Sequence, residues 1–166
     1  MNRAEWSFHA RDENDTGRLG RALATAIEPG AVVTLLGELG AGKTCLVRAI
    51  ASSLGVDPLT VASPTFVLIR EYTGRMPIYH FDVYRIADVD EFLELGADEL
   101  LYGRGVCLIE WADRVSALLP TDVLQVQIVA IGAEARQVSL KAGGCQAQLT
   151  LDTVRQELSN SESDGG

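Results

Sequence analysis

The octapeptide Gly37-Glu38-Leu39-Gly40-Ala41-Gly42-Lys43-Thr44 constrains this chain more than any other stretch. It satisfies G-x-x-x-x-G-K-[ST] at every fixed position. Glycines let successive backbone N–H groups turn toward one centre and form a nest for an anion. The apolar run Val32-Val33-Thr34-Leu35-Leu36 before it reads as a buried strand, and Cys45 to Leu54 after it reads as a helix. A helix that starts at such a loop adds the positive end of its dipole. In this setting Lys43 is expected to reach terminal phosphates as a point charge, and the Thr44 hydroxyl to bind Mg²⁺. Nucleotide contacts are expected from Gly37, Glu38, Leu39, Gly40, Ala41, Gly42, Lys43, Thr44 and Cys45.

Elsewhere the chain shows the periodicities of one α/β domain. Trp6 and Phe8 lie in an irregular lead or a first edge strand. Leu19, Ala22, Leu23, Ala26 and Ile27 recur at helical spacing, with Asp15 or Thr16 as the expected cap and Pro29-Gly30 as the stop. In the loop helix, Leu46, Val47, Ile50, Ala51 and Leu54 face inward, and Gly55 stands where a terminating glycine belongs. Ser63-Pro64-Thr65 leads into a strand from Phe66 to Tyr72, and Thr73-Gly74-Arg75 turns it into a second strand, Pro77 to Tyr84. Alternation puts His80, Asp82 and Tyr84 on one face and Tyr79, Phe81 and Val83 on the other. A solvated face accounts for His80; it accounts less well for Asp82, because Asp is depleted in strands.

The acidic stretch from Asp88 to Leu101 reads as helix broken at Gly96, its charges forming a solvated face. Val106-Cys107-Leu108-Ile109 then ends in Glu110-Trp111. A buried strand that delivers a carboxylate at its C-terminal end fits the ligand edge of an open α/β sheet, and Glu110 is the expected second metal ligand. Trp111 is expected to line the site or to pack at its edge. A short helix from Asp113 to Leu119, an antiparallel pair (Val123 to Ile131, Gln137 to Ala142) and a helix from Gln148 to Leu158 complete the domain, 1–158. Residues 159–166 are Ser-, Gly- and acid-rich and read as a disordered tail.

Composition narrows the partners. The chain has 166 residues, is 47% hydrophobic and carries a net charge of −9 from 14 basic and 23 acidic residues. That balance argues against broad, salt-driven binding of DNA or RNA by this chain alone. Cys45, Cys107 and Cys145 are far apart and odd in number, without the spacing of a zinc site; Cys107 reads as core and Cys45 as packing. No apolar run approaches the length needed to cross a bilayer, and reduced thiols without a signal peptide point to the cytoplasm.

Taken in order, Gly37–Thr44, Ser63-Pro64-Thr65-Phe66, His80-Phe81-Asp82-Val83-Tyr84-Arg85 and Ile109-Glu110-Trp111 closely resemble the TsaE (YjeE) family. The loop is shared with many proteins; the H-F-D-x-Y-R and E-W segments are far more particular. The resemblance spans about Trp6 to Ala142 and implies a three-layer P-loop NTPase-like fold with a mixed parallel and antiparallel sheet, binding ATP and Mg²⁺. It implies metal ligation by Thr44 and Glu110, Thr65 in a first switch, and Asp82 as a switch residue near the γ-phosphate; from its place on an alternating strand between two nucleotide motifs, Asp82 is also the expected catalytic residue, with Lys43. It implies TsaD-like and TsaB-like partner subunits in tRNA threonylcarbamoyladenosine synthesis, with hydrolysis supporting turnover rather than group transfer. Family members often read G-R-E-A-R near the C-terminal hairpin; this chain has Gly132-Ala133-Glu134-Ala135-Arg136 and lacks the first Arg. Two other classes remain open on the residues alone. A small-molecule kinase needs an Arg-rich lid that is not visible here. A nucleotide-sensing module would bind without hydrolysis.

Overall fold

The computed structural model describes residues 4–61 and 68–163. Strand β1 (Glu5–Ala10) leads into α1 (Glu13–Ala26), then β2 (Val32–Leu36) and α2 (Lys43–Ser53). A 3-10 turn at Pro58–Thr60 precedes the hairpin β3 (Ile69–Thr73) and β4 (Pro77–Asp82). Helices α3 (Val89–Glu94) and α4 (Ala97–Leu101) lead to β5 (Val106–Glu110) and a 3-10 segment, Ala112–Leu118. The antiparallel pair β6 (Leu124–Ala130) and β7 (Arg136–Ala142) is followed by α5 (Cys145–Ser163).

All seven strands join one sheet in the order β1-β7-β6-β2-β5-β4-β3. Its centre is parallel: β2 pairs with β5 and β6, and β4 pairs with β5. The flanks are antiparallel. This is the mixed sheet of a three-layer α/β fold. One face carries α1, α2 and α5 over Leu35, Leu108, Val126 and Leu140. The other carries α3, α4 and the 3-10 segment over Phe81, Cys107 and Ile109. Central strands covered on both faces read as unbroken apolar runs, which is why Val32–Leu36 and Val106–Ile109 show no alternation.

The expected inner faces are buried as read: Leu19, Leu23 and Ile27 of the α1 region, Leu46, Val47 and Ile50 of α2, and Leu151, Val154 and Leu158 of α5. Gly55 follows α2 with φ 99°, and Gly96, with φ 76°, separates α3 from α4. Cys107 is core; its thiol donates to the Leu100 carbonyl, and burial pushes its pKa up to about 12. Burial also raises the half-buried Cys45 thiol, in keeping with packing.

Four details differ from the sequence reading. The cap of α1 is Asp12, whose carboxylate accepts from the Asp15 N–H at 3.0 Å. Asp15 lies one turn inside, where Arg11 and Arg18 engage it, and Thr16 lies beside it. His80 is not on a solvated face: it is fully buried, because α2 covers that side of the sheet. Strand β4 stops at Asp82, so Tyr84 sits on the following turn and is exposed. Residues 159–163 continue α5 instead of starting a disordered tail. The buried Leu158 anchors that last turn, and Ser161 Oγ accepts from Arg18 of α1 at 2.8 Å. Phe66 and the Ser63-Pro64-Thr65 turn lie outside the described residues.

Helices α1 and α2 cross closely at Gly20, where an added Cβ would stand 2.4 Å from Ala49 Cβ and 3.1 Å from its carbonyl carbon. Gly to Ala in a helix normally stabilises by about 1 kcal/mol. Gly20→Ala is expected to reverse that sign by overpacking, whereas Gly17→Ala, which meets only a flexible Arg21 tip at 3.5 Å, should follow the rule. Urea unfolding midpoints check both; a stabilised Gly20→Ala would refute the close crossing.

Candidate functional site

Parallel pairing sends the C-terminal ends of β2, β4 and β5 to one edge of the sheet. The first end carries the glycine loop, the second Asp82 and the third Glu110. Register places Leu35 and Asp82 on either side of Glu110. Leu35 and Asp82, 75 and 28 positions away from Glu110 along the chain, thereby become its neighbours; ligands of open α/β sheets bind at such an edge.

Three glycines shape the loop, with φ of 154° at Gly37, 80° at Gly40 and 110° at Gly42. A Cβ at Gly37 would lie 2.6 Å from the Ile128 carbonyl oxygen. Gly42, in the left-handed region, caps α2 without any side-chain bond to its first turn. The open helix N-terminus therefore keeps its donors for something else.

Lys43 is buried, and its ammonium donates to the carbonyls of Gly37 and, at 3.1 Å, Glu38. It also stands 4.0 Å from the centre of the Trp111 ring, a cation–π contact. Burial pulls its pKa below the ordinary lysine value, opposed mainly by the charges of Glu110 and Asp82. Trp111 holds φ 62°, the left-handed region that disfavours a bulky residue. Its N–H donates to the Leu35 carbonyl at 3.2 Å, and its ring packs on Tyr84 at 4.8 Å between centroids. Arg114 in turn covers Tyr84.

The Thr44 hydroxyl donates to Glu110 Oε1 at 3.0 Å. Glu110 Oε2 accepts from His80 Nε2 at 2.6 Å. Asp82, also buried, accepts the Tyr84 N–H at 3.0 Å. A cavity of about 530 Å³ joins Leu39, Gly40, Gly42, Lys43, Thr44 and Cys45 to Asp82, Tyr84, Arg85, Glu110 and Trp111. A neighbouring cavity of about 610 Å³ shares the loop and takes in Gly37, Glu38, Ala41 and Trp111. Thus every expected site residue among those described lies on one of two adjoining cavities, and Thr65 falls outside the described residues.

The donor set fits a small hard cation. Two oxygens 3.0 Å apart match neighbouring corners of an octahedron with metal–oxygen bonds of about 2.1 Å. Among the described residues no group of three or more His, Cys, Asp or Glu side chains is placed to cage a metal.

Two residues were not assigned a role by the sequence reading. His80 was legible only as the first letter of H-F-D. Arg136 survived in an incomplete motif, yet its Nε donates to the Ala41 carbonyl at 2.8 Å, and its Nη1 donates to the carbonyls of Gly132 and Ala135. It braces the loop against the C-terminal hairpin. A third, smaller cavity lies between them, lined by Glu13, Thr16, Cys45 and Arg136. Arg136→Ala is expected to accelerate amide hydrogen exchange across 37–44 and to cost about 1–3 kcal/mol of stability. Unchanged exchange in that loop would remove the brace.

Comparison with known proteins identifies one family. The family model described as "Threonylcarbamoyl adenosine biosynthesis protein TsaE" matches residues 10–138. A Treponema pallidum protein named tRNA threonylcarbamoyladenosine biosynthesis protein TsaE is 40% identical over 131 residues, covering 79% of this chain and 96% of its own. Its Bacillus subtilis namesake is 40% identical over 141 residues, covering 84% and 87%. The crystal structure of Bacillus subtilis YdiB superposes with a TM-score of 0.79 at 31% identity, covering 94% of this chain and 97% of that one. The family model over residues 10–138 and relatives 40% identical over most of their own length show that the chain belongs to the TsaE family.

Proposed function

We propose that this chain is an ATP-binding, slowly hydrolysing accessory subunit of the machinery that adds a threonylcarbamoyl group to an anticodon-adjacent tRNA adenosine. The observation that carries the reading is the Thr44 hydroxyl set 3.0 Å from the Glu110 carboxylate, beside a buried Lys43 at the glycine loop. The names of its relatives support the pathway.

ATP would lay its phosphates along the loop amides and the N-terminus of α2. Lys43 would exchange its two carbonyl partners for phosphate oxygens, a stronger, charge-assisted pairing. Thr44 and Glu110 would hold Mg²⁺, which when bound neutralises charge on the phosphates. Asp82, at the end of the neighbouring strand and facing the same cavity, would orient the attacking water and receive its proton as the γ-phosphate leaves ADP. Arg85 lines that cavity and, with Thr65, would respond to loss of the γ-phosphate. Trp111 would leave the Lys43 ammonium as phosphate arrives.

The partners proposed are TsaD-like and TsaB-like subunits. With a net charge of −9, the chain would leave tRNA to them. No described helix is long and apolar enough to cross a membrane; the proposed compartment is the cytoplasm.

Asp82→Ala should lower phosphate release at least about 100-fold while ADP affinity stays near wild type; near-normal hydrolysis would remove Asp82 from the chemistry. Lys43→Ala should lose ATP binding in equilibrium titration. Adding the partner subunits should raise the hydrolysis rate of the wild type, and equal rates with and without them would overturn the accessory role.

A further inference from the structure

His80 is used by nothing in the mechanism above, yet it is the most enclosed polar group of the site, with no exposed surface. Its Nε2 meets Glu110 Oε2 at 2.6 Å. A carboxylate oxygen can only accept, so the hydrogen sits on Nε2. Its Nδ1 is buried with no hydrogen-bond partner among the described residues. An imidazole satisfied on one side only is costly in a core, by roughly 1–3 kcal/mol. On its face of the sheet His80 has the apolar Ile78 beside it on β4 and Leu108 across on β5, with Asp82 as its other neighbour on the strand and Arg70 paired with it on β3. Tyr72 lies beside the ring, 6.4 Å between centroids.

We infer that His80 is a positioning residue for Glu110, fixing the carboxylate so that a single oxygen, Oε1, is offered to the cation. The inference rests on the nucleotide–Mg²⁺ reading above. The two carboxylate oxygens have unequal partners. Thr44, at Oε1, is on the cavity side: it lines the open cavity, and its hydroxyl can turn to a cation. His80, at Oε2, is locked in the core. When a cation enters, the Thr44 bond gives way and the His80 bond stays. Glu110 then binds through one oxygen, because Oε2 is held by a donor on the far side. This has a consequence for metal choice. Mg²⁺ takes single oxygens at about 2.1 Å in a near-ideal octahedron, whereas Ca²⁺ readily takes both oxygens of a carboxylate at roughly 2.3–2.6 Å. Pinning Oε2 withholds the second oxygen from Ca²⁺. His80 thereby acts on cation affinity and selectivity without touching cation or nucleotide.

The test is calorimetric titration of the protein with ADP, in EDTA and at rising Mg²⁺ or Ca²⁺. In the wild type Mg²⁺ should strengthen ADP binding more than Ca²⁺ does. His80→Asn, which is too short to reach Oε2, and His80→Phe should lower the apparent Mg²⁺ affinity by about 10- to 100-fold and narrow the Mg²⁺ over Ca²⁺ preference. His80→Gln, whose amide nitrogen reaches about as far as Nε2, should restore both. ADP affinity in EDTA should stay at the wild-type value in all three, which also reports folding. A wild-type Mg²⁺ response in His80→Asn or His80→Phe, or a loss in His80→Gln as deep as in His80→Phe, would overturn the role of His80 while leaving the nucleotide reading intact. Equal support by Mg²⁺ and Ca²⁺ in the unmodified protein would overturn the selectivity without need of a variant. Failure of the wild type to bind ADP at all would instead bring down the nucleotide reading beneath it.

Discussion

One buried carboxylate, Glu110, is hydrogen-bonded from both sides, by the Thr44 hydroxyl and the His80 imidazole. The three residues come from α2, β4 and β5, so this contact joins the phosphate loop to the two strands beside it. An ionised carboxylate brought out of water without partners costs several kcal/mol. Each hydrogen bond to a charged group returns about 1.5–3 kcal/mol. Glu110 is therefore tolerable at that position only if β2, β4 and β5 keep the register that brings its partners to it. The same requirement fixes the loop, because Thr44 is the second residue of the helix the loop starts.

The remaining polar groups at the sheet edge are satisfied in ways that leave them poised. Lys43 rests on two loop carbonyls and the Trp111 ring. Those are weak partners for a desolvated ammonium, and burial lowers its pKa accordingly. On the proposed function, a phosphate would offer a better one. Trp111 holds a left-handed backbone, of order 1–3 kcal/mol unfavourable. It is kept there by the Leu35 carbonyl and by Tyr84 and Arg114 stacked outside it. The edge thus combines a rigid floor, Glu110 on His80, with a cover of Trp111, Tyr84 and Arg114 that is more exposed. On the opposite side Arg136 ties the loop carbonyl of Ala41 to the C-terminal hairpin.

Much of this was legible beforehand where local chemistry is strong. The glycine loop needs positive φ and a helix start, and a sequence displays both. The apolar spacing of α1, α2 and α5 was correct because one face of each packs on the same sheet. Reading failed where a tertiary neighbour overruled a local pattern. Asp15 looked like a cap, but Asp12 takes that place and frees Asp15 for Arg11 and Arg18. The polar stretch after Leu158 looked unstructured, but α1 supplies Arg18 to hold it through Ser161. His80 looked exposed by alternation, and only the helix lying over β4 makes it interior.

The sequence by itself determined the loop, the apolar cores of the elements, and the identities of the two acids, because glycine conformation and hydrophobic period act over a few residues. Tertiary structure decided what those acids touch. Glu110 and Asp82 are adjacent because parallel pairing aligns β4 with β5, and Glu110 meets Thr44 because β5 also pairs with β2. Strand order is set by how helices cover both faces of a sheet, a property of the whole chain that no short stretch contains.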